Sequence, residues 1–391
     1  MDTKLKTIKC STGIPQLIVD PSDLHATIFI LGAGFTRGYN ENLVPLTTDV
    51  LAIAEKTTKL KPEHEHKMLI DFIKKYFHDY QSVNIEKLAT FLKSSFPPTH
   101  ESAREPREMY LKQIIDLIIN TLSNIYENPQ SDQIKNLYNK FADELVKNQS
   151  KVITFNYDTL LDTFLRNTRR WSVVNGYGVK MELDFNPHYD LAITELDNLK
   201  KELKQAKHEG SATLLKLHGS INWCKPIVED PYKKLAIVVS SFGLSVFLDS
   251  QSDWSNKGIG PANMASHPPY GNTPNLIYEP FIVPPILVKE DLVREPLLQN
   301  VWYHAMESFR HVNNIVIIGY SFPPTDFMVD STIRQGLSTW VEKLRKSQRK
   351  VWCINKNINE QYILRVKEIF KNCEIEFLNI DTVDFLNQWL N

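Results

Sequence analysis

An amide and a carboxylate stand two residues apart where an apolar run ends: Asn156 and Asp158 in "KVITFNYDTLL" (151–161). Such a pair can cap a following helix, or it can face a ligand at the carboxyl end of a parallel strand. Four other apolar stretches end the same way, in polar or glycine residues. Gly32, Ala33, Gly34, Phe35, Thr36, Arg37 and Gly38 follow the first, and His218, Gly219 and Ser220 another. Gly319, Tyr320, Ser321 and Asp326 follow a third, and Asn355 a fourth. Five ends of this kind suit one polar ligand. The glycine turn has the strand–turn–helix layout in which backbone can approach a pyrophosphate at a helix N-terminus. A GxGxxG dinucleotide fingerprint would need glycine at 37; Arg37 stands there, which argues against a dehydrogenase.

The elements that must position these residues are short apolar runs. Ala26–Leu31 is β-branched and aromatic, as expected of a strand buried on both faces. Val152–Phe155, 212–219, Leu235–Ser240, Asn314–Gly319, Val351–Asn355 and Glu374–Leu378 read as further strands. Alternation of strands and helices predicts an α/β fold, a Rossmann-like doubly wound parallel sheet. Between about 60 and 149 the period changes to that of helices. Stripes run through Leu69, Phe72/Ile73 and Tyr76/Phe77; Ile85, Leu88 and Phe91/Leu92; Leu111, Ile114/Ile115 and Ile118; and Ile134, Leu137/Tyr138, Phe141 and Leu145. They predict an inserted α-helical subdomain at 60–149. It would lie between two parts of one catalytic domain, 23–59 and 150–391, after an N-terminal segment 1–22. The Ser-, Gly-, Pro- and Asn-rich stretch 241–276 reads as a lid, an interface loop or a disordered segment.

With 391 residues, 42% of them hydrophobic, the chain can bury a sizeable core. A formal net charge of −1 gives no electrostatic signal for nucleic acid or an anionic membrane surface. The four cysteines, Cys10, Cys224, Cys353 and Cys373, form no CxxC pair, so neither a structural zinc site nor a disulfide framework is expected. Few unpaired cysteines, no signal-peptide core and no bilayer-length apolar run predict a soluble cytoplasmic protein. His64-Glu65-His66 reads as a solvated helix surface rather than a metal site, because side chains two apart face different ways. Trp171, Tyr177 and Trp302 read as core or interface.

Taken in order, "GAGFT", "TFNYDTLL", "KLHGSINW" and "IGYSFPPTD" resemble the sirtuin superfamily, and more closely its bacterial branch of NAD hydrolases in antiphage defence. The resemblance covers residues 26–50 and 150–360. It implies that Gly32, Ala33 and Gly34 cradle the NAD pyrophosphate, with Phe35, Thr36 and Gly319 beside them in the cofactor site. Asn156 would hold the nicotinamide ribose and the attacking water, and Asp158 would read the nicotinamide carboxamide. His218 would be the general base, and Ser321 and Asn355 would lie near the adenosine ribose. The implied reaction cleaves the nicotinamide–ribose bond through an oxocarbenium-like transition state, giving nicotinamide and linear or cyclic ADP-ribose. Homo-oligomers and a separate partner, such as a HerA-type hexameric ATPase, are implied by the same resemblance.

Departures are as informative. Deacylating sirtuins carry a four-cysteine zinc module and a Phe-Arg pair after the glycine loop; this chain has neither, and Thr36 replaces the usual serine. Acyl-lysine binding is therefore disfavoured, and NAD hydrolysis without a metal is the simpler expectation. An NAD or ADP-ribose sensor without turnover is the alternative.

Overall fold

The computed structural model describes residues 27–77, 79–94, 104–122, 125–171, 176–178, 181–184, 211–226, 237–240, 245–246, 278–286, 295–310, 312–323, 326–338 and 349–390. Six of its strands form one parallel sheet. They are β1 (Thr27–Leu31), β2 (Lys151–Thr154), β4 (Thr213–Lys216), β9 (Asn314–Ile318), β10 (Lys350–Ile354) and β11 (Glu374–Leu378). Their order is β11-β10-β9-β1-β2-β4. Counted within this sheet, that is the 3-2-1-4-5-6 order of a Rossmann-like doubly wound fold, which reverses direction between β1 and β9. The continuous apolar run of β1 is the reason it lies centrally. Ile30 is flanked by Ile153 on one side and Ile317 on the other, and all five β1 residues are buried.

Chain direction dictates where the helices lie. Crossovers between parallel strands are right-handed, so those moving outward from β1 to β4 and those moving outward from β9 to β11 cover opposite faces. On the first path lie α1 (Ala33–Tyr39), α6 (Asp132–Lys147) and α7 (Leu160–Asn167). α6 begins at a Ser131 cap, whose hydroxyl accepts the Ile134 N–H at 3.3 Å, and its Tyr138/Phe141 stripe meets the sheet. Phe141 packs edge-on against Phe29 of β1 at 5.5 Å, a geometry worth about 0.5–1.5 kcal/mol beyond area burial. The C-terminal helix α11 (Thr382–Leu390) closes this layer through Trp389 on Phe29. Along the second path lie α9 (Phe327–Leu337) and α10 (Glu360–Ile369), and α8 (Pro296–Arg310), which leads into β9, packs against α9.

The helices α2 (Val50–Lys56), α3 (Lys67–Phe77), α4 (Ile85–Lys93) and α5 (Arg104–Leu122) intervene between α1 and α6. α5 packs against both α2 and α4, burying Leu88, Leu92, Ile114 and Ile118. The last stripe of the expected 60–149 block, α6, is thus seated on the sheet itself. His64-Glu65-His66 departs from its expected solvation. His64 and Glu65 are exposed, but His66 is buried and its Nδ1 accepts the Lys61 N–H at 3.1 Å; that burial lowers its pKa.

A second sheet differs from the single-sheet expectation. β3 (Met181–Asp184), β5 (Gly219–Pro226), β6 (Ile237–Ser240), β7 (Ser245–Val246) and β8 (Tyr278–Ile282) pair antiparallel in the order β3-β6-β7-β5-β8. The apolar run 212–219 is not one strand: it stops at Lys216 and resumes as β5 at Gly219. Gly219 has φ +77°, and a Cβ there would lie 2.2 Å from the Phe281 carbonyl oxygen, so the change of sheet needs glycine. The expected strand at 235–240 is β6, also in this second sheet. The N-terminal segment 1–22 and Cys10 lie outside the described residues, as does most of 241–276, within which Ser245–Val246 forms β7. Among the described residues no helix is long and apolar enough to cross a membrane.

Candidate functional site

The carboxyl ends of β1, β2, β4, β9 and β10 carry the polar residues singled out above. At the point of reversal, the glycines of β1 and β9 pack backbone on backbone. The Gly32 N–H donates to Ile318 O at 3.0 Å, Gly34 N–H to Gly319 O at 2.9 Å, and Gly319 N–H to Ile354 O at 2.9 Å. A Cβ on Gly32 would sit 2.5 Å from Gly319 O, and Gly319 itself has φ +63°. These glycines therefore let two strand ends touch. Phe35 is buried against Tyr138, whose hydroxyl donates to the Phe35 carbonyl oxygen. Ala33 and Gly34 remain half-buried at the opening of α1.

Asn156 spans from β2 to this corner. Its Nδ2 donates to Gly32 O at 2.9 Å and to Thr36 Oγ1 at 3.0 Å. Gly32 O can only accept, so the amide has one orientation, with Oδ1 as the remaining polar atom. Among the described residues nothing donates to Oδ1. The buried Thr36 hydroxyl passes the chain on, donating to Asp158 Oδ2 at 2.8 Å, while the Leu160 N–H donates to Oδ1 of Asp158 at 3.0 Å. Asp158 thus caps the first turn of α7 and locks Thr36. Burial raises its pKa, opposed by the Lys216 ammonium and by these two hydrogen bonds. Each of its oxygens thus accepts a hydrogen bond from within the protein.

His218 occupies the corner where the chain leaves β4 for β5. It is 6% exposed, within a cage of rings: Phe155 at 5.3 Å, Tyr157 at 6.2 Å and Trp302 at 6.4 Å. Trp302 is held in turn, its indole N–H donating to Leu217 O at 2.9 Å. The Asp326 carboxylate faces it, with His218 Nε2 3.8 Å from Oδ1, and Asp326 Oδ2 accepts the Tyr320 hydroxyl at 2.9 Å. Tyr320 stacks on Phe155 at 4.4 Å. Burial, then the Asp326 charge, then Glu86 hold the Tyr157 hydroxyl far above its usual pKa. Tyr320 is raised by burial first as well, with Asp326 next.

Asp326 is tied back toward the end of β9, its N–H donating to Pro323 O at 2.9 Å. Phe322 takes φ +49°, rare for a bulky residue, and is buried against Tyr320, Tyr362 and Phe370. Ser321 is exposed at the end of β9, and half-buried Asn355 at the end of β10 reaches the Tyr320 carbonyl oxygen at 3.5 Å.

The strand ends of β1 and β2 thus share one hydrogen-bonded chain through Asn156, Thr36 and Asp158. Those of β4 and β9 share the pair His218 and Asp326. Two contributors were missed in the sequence. Lys216, 1% exposed, donates from Nζ to Asp158 O and to Asp162 Oδ2 at 3.0 Å; a single lysine within "TLLKL" was the signal for a buried partner. Glu86, half-buried on α4, projects a charge onto Tyr157 and Tyr320, and no sequence feature announced it. Among the described residues no group of three or more His, Cys, Asp or Glu side chains could hold a metal ion.

No protein-family model matches the chain, and no curated protein matches it. Among solved structures, similarity runs along the chain to Sir2 enzymes. One, from a study of the mechanism and regulation of these enzymes, is 13% identical with a TM-score of 0.40, covering 95% of this chain and 94% of that one. A Sir2 homologue in complex with NAD is 12% identical with a TM-score of 0.41, covering 95% and 91%. A mutant Sir2 homologue in complex with ADP-ribose is 11% identical with a TM-score of 0.41, covering 95% and 93%. Similarity this distant leaves the activity to be argued from the site itself.

Proposed function

We propose that this chain is an NAD+ glycohydrolase. The observation that carries the reading is the orientation of Asn156. Its amide hydrogens are held by Gly32 and Thr36, so Oδ1 is presented, pre-set, as a hydrogen-bond acceptor at the carboxyl end of β2. A ribose hydroxyl or a water could donate to it without any rearrangement. In the proposed reaction the C1′–N1 bond breaks and its electron pair leaves with neutral nicotinamide. Water attacks C1′ of the oxocarbenium-like ribose, and His218 takes the proton released, yielding ADP-ribose. Nicotinamide is already a cationic leaving group, so no acid is required. Gly32, Ala33 and Gly34 would border the pyrophosphate at the opening of α1, with Phe35, Thr36 and Gly319 behind them. Asp158 would act through Thr36, and Ser321 and Asn355 would lie toward the adenosine. Residues 23–59 and 150–391 would form the catalytic unit and 60–149 an insertion. The motif resemblance supports a role as an antiphage-defence effector that depletes NAD, as a homo-oligomer restrained by a partner such as a HerA-type ATPase.

A sensor of NAD or ADP-ribose without turnover has one observation on its side: both Asn156 amide hydrogens are engaged inside the protein, as a purely structural residue's would be. One experiment separates the two. Purified protein is incubated with NAD at neutral pH and nicotinamide is followed by chromatography, beside Asn156→Ala. Hydrolysis predicts release that falls at least about 10²-fold in the variant while its melting temperature holds. Saturable NAD binding with no release, with and without candidate partners, would establish the sensor instead.

A further inference from the structure

Asp326 is an N-cap residue that does not cap. It opens α9, yet its side chain makes no hydrogen bond to that helix's first turn. An aspartate at such a position ordinarily accepts an N–H two or three residues on. Here the carboxylate is turned into the interior, where its side chain and that of His218 are both buried, and it lies 3.8 Å from His218 Nε2. That is an ion-pair distance rather than a hydrogen bond. Its other oxygen is fixed by the Tyr320 hydroxyl at 2.9 Å, and Tyr320 is in turn clamped by its stack on Phe155. The backbone holds the group from both sides: Asp326 N–H donates to Pro323 O, and Val329 N–H donates to Asp326 O, each at 2.9 Å. The strained φ of Phe322 lies within the same turn.

We propose that Asp326, held by Tyr320, is the positioning residue for His218: it orients the imidazole and stabilises the imidazolium formed when His218 takes a proton. The proposal rests on the hydrolase reading for its kinetic consequence, but not for its structural one. A base that must become a cation inside a cage of rings meets a cost unless an anion lies close by. Asp326 supplies that anion from β9's end of the sheet, opposite the strand that carries His218. Among the described residues, the other titratable groups that bear on this corner are the Tyr157 and Tyr320 hydroxyls, Glu86 on α4, and Asp330 on α9, which pairs with Arg365. Burial keeps both tyrosines neutral throughout the working range, and Glu86 reaches the corner from the helical block. A gap of 3.8 Å leaves room for the pair to tighten when substrate closes the site.

The test uses two near-isosteric variants of the full chain, Asp326→Asn and Tyr320→Phe, each with its melting temperature measured. His218 is titrated by NMR of its ring nitrogens, assigned by difference against His218→Gln, with no ligand present. Asp326→Asn should lower the His218 titration midpoint by about one pH unit or more, and Tyr320→Phe by less. In turnover, Asp326→Asn should lower kcat about 10²-fold or more with KM within about threefold, moving the acid limb of the pH profile the same way; Tyr320→Phe should cost about tenfold. An unmoved His218 midpoint in folded Asp326→Asn overturns the proposal, whatever happens to kcat, because a fall in rate alone would then be a direct action on substrate. A shifted midpoint in a protein that binds NAD but releases no nicotinamide, with and without candidate partners, upholds the pair and retires the hydrolase reading.

Discussion

Lys216 and His218 stand two residues apart, yet they sit in opposite kinds of environment. Lys216 is closed in: its ammonium meets the Asp158 carbonyl oxygen and the Asp162 carboxylate. Asp162 Oδ1 also accepts the Tyr177 hydroxyl, which accepts from Asn222 Nδ2 at 3.2 Å. His218 faces its carboxylate across 3.8 Å, at ion-pair rather than hydrogen-bond distance. A buried ion pair with its partners at hydrogen-bond distance holds backbone in place; a buried pair with slack can change its protonation and its distance during a reaction. The first secures the junction of β2, α7 and β4; in the proposed reaction the second is the pair that changes its protonation.

The contrast can be broken most severely at Lys216. Lys216→Met strands the Asp162 charge and should cost about 3–5 kcal/mol in urea denaturation, with Lys216→Met/Asp162→Asn recovering part of it. A loss below about 1 kcal/mol would mean that the closed centre is not structural. Next in size is Thr36, the link between the two environments. Thr36→Val removes the donor to Asp158 and the acceptor for Asn156, and should cost about 1–3 kcal/mol together with most of the nicotinamide release, whereas Thr36→Ser keeps both. Equal stability and rate in the two variants would show that Asn156 is positioned by Gly32 alone.

The smallest effect sharpens the point that partners decide the worth of a buried charge. Asp116 on α5 has its carboxyl pushed up to about 6 by burial, offset in part by Lys112 one turn earlier. Its folded pKa exceeds its unfolded one, so its stabilising contribution is complete below about pH 4 and is lost as pH rises through about 6. Asp116→Asn should therefore stabilise the protein at pH 7.5 by about 1–2 kcal/mol, and leave it unchanged at pH 3.5. A stability gap that is the same at both pH values would show that the carboxyl is not perturbed.

Much of the parallel sheet was legible because its inner strands are buried on both faces. Runs such as "TIFIL" and "NIVII" carry no polar residue to interrupt the pattern after their first position, and their ends are marked by glycine or a polar side chain. The second sheet was not legible. β5 carries mixed residues, and its start is concealed inside the run 212–219, where one glycine at positive φ turns the chain. The partners within the site were equally hidden. Asp326 reads as one more polar residue after a strand, with no partner indicated, and Lys216 as an interruption of a strand, until folding sets one beside His218 and the other beside Asp162.

Local pattern alone determined most of the positions where strands end in polar or glycine residues, because burial on both faces forces apolar runs that a polar residue or glycine visibly breaks. Only the tertiary structure decided which of those ends face one another. Sheet order, the strained turn at Phe322 and the diverted cap at Asp326 join groups far apart in sequence, such as Asn156 with Gly32 and Gly32 with Ile318. Contacts of that range depend on strand order and packing, which no short stretch of sequence encodes by itself.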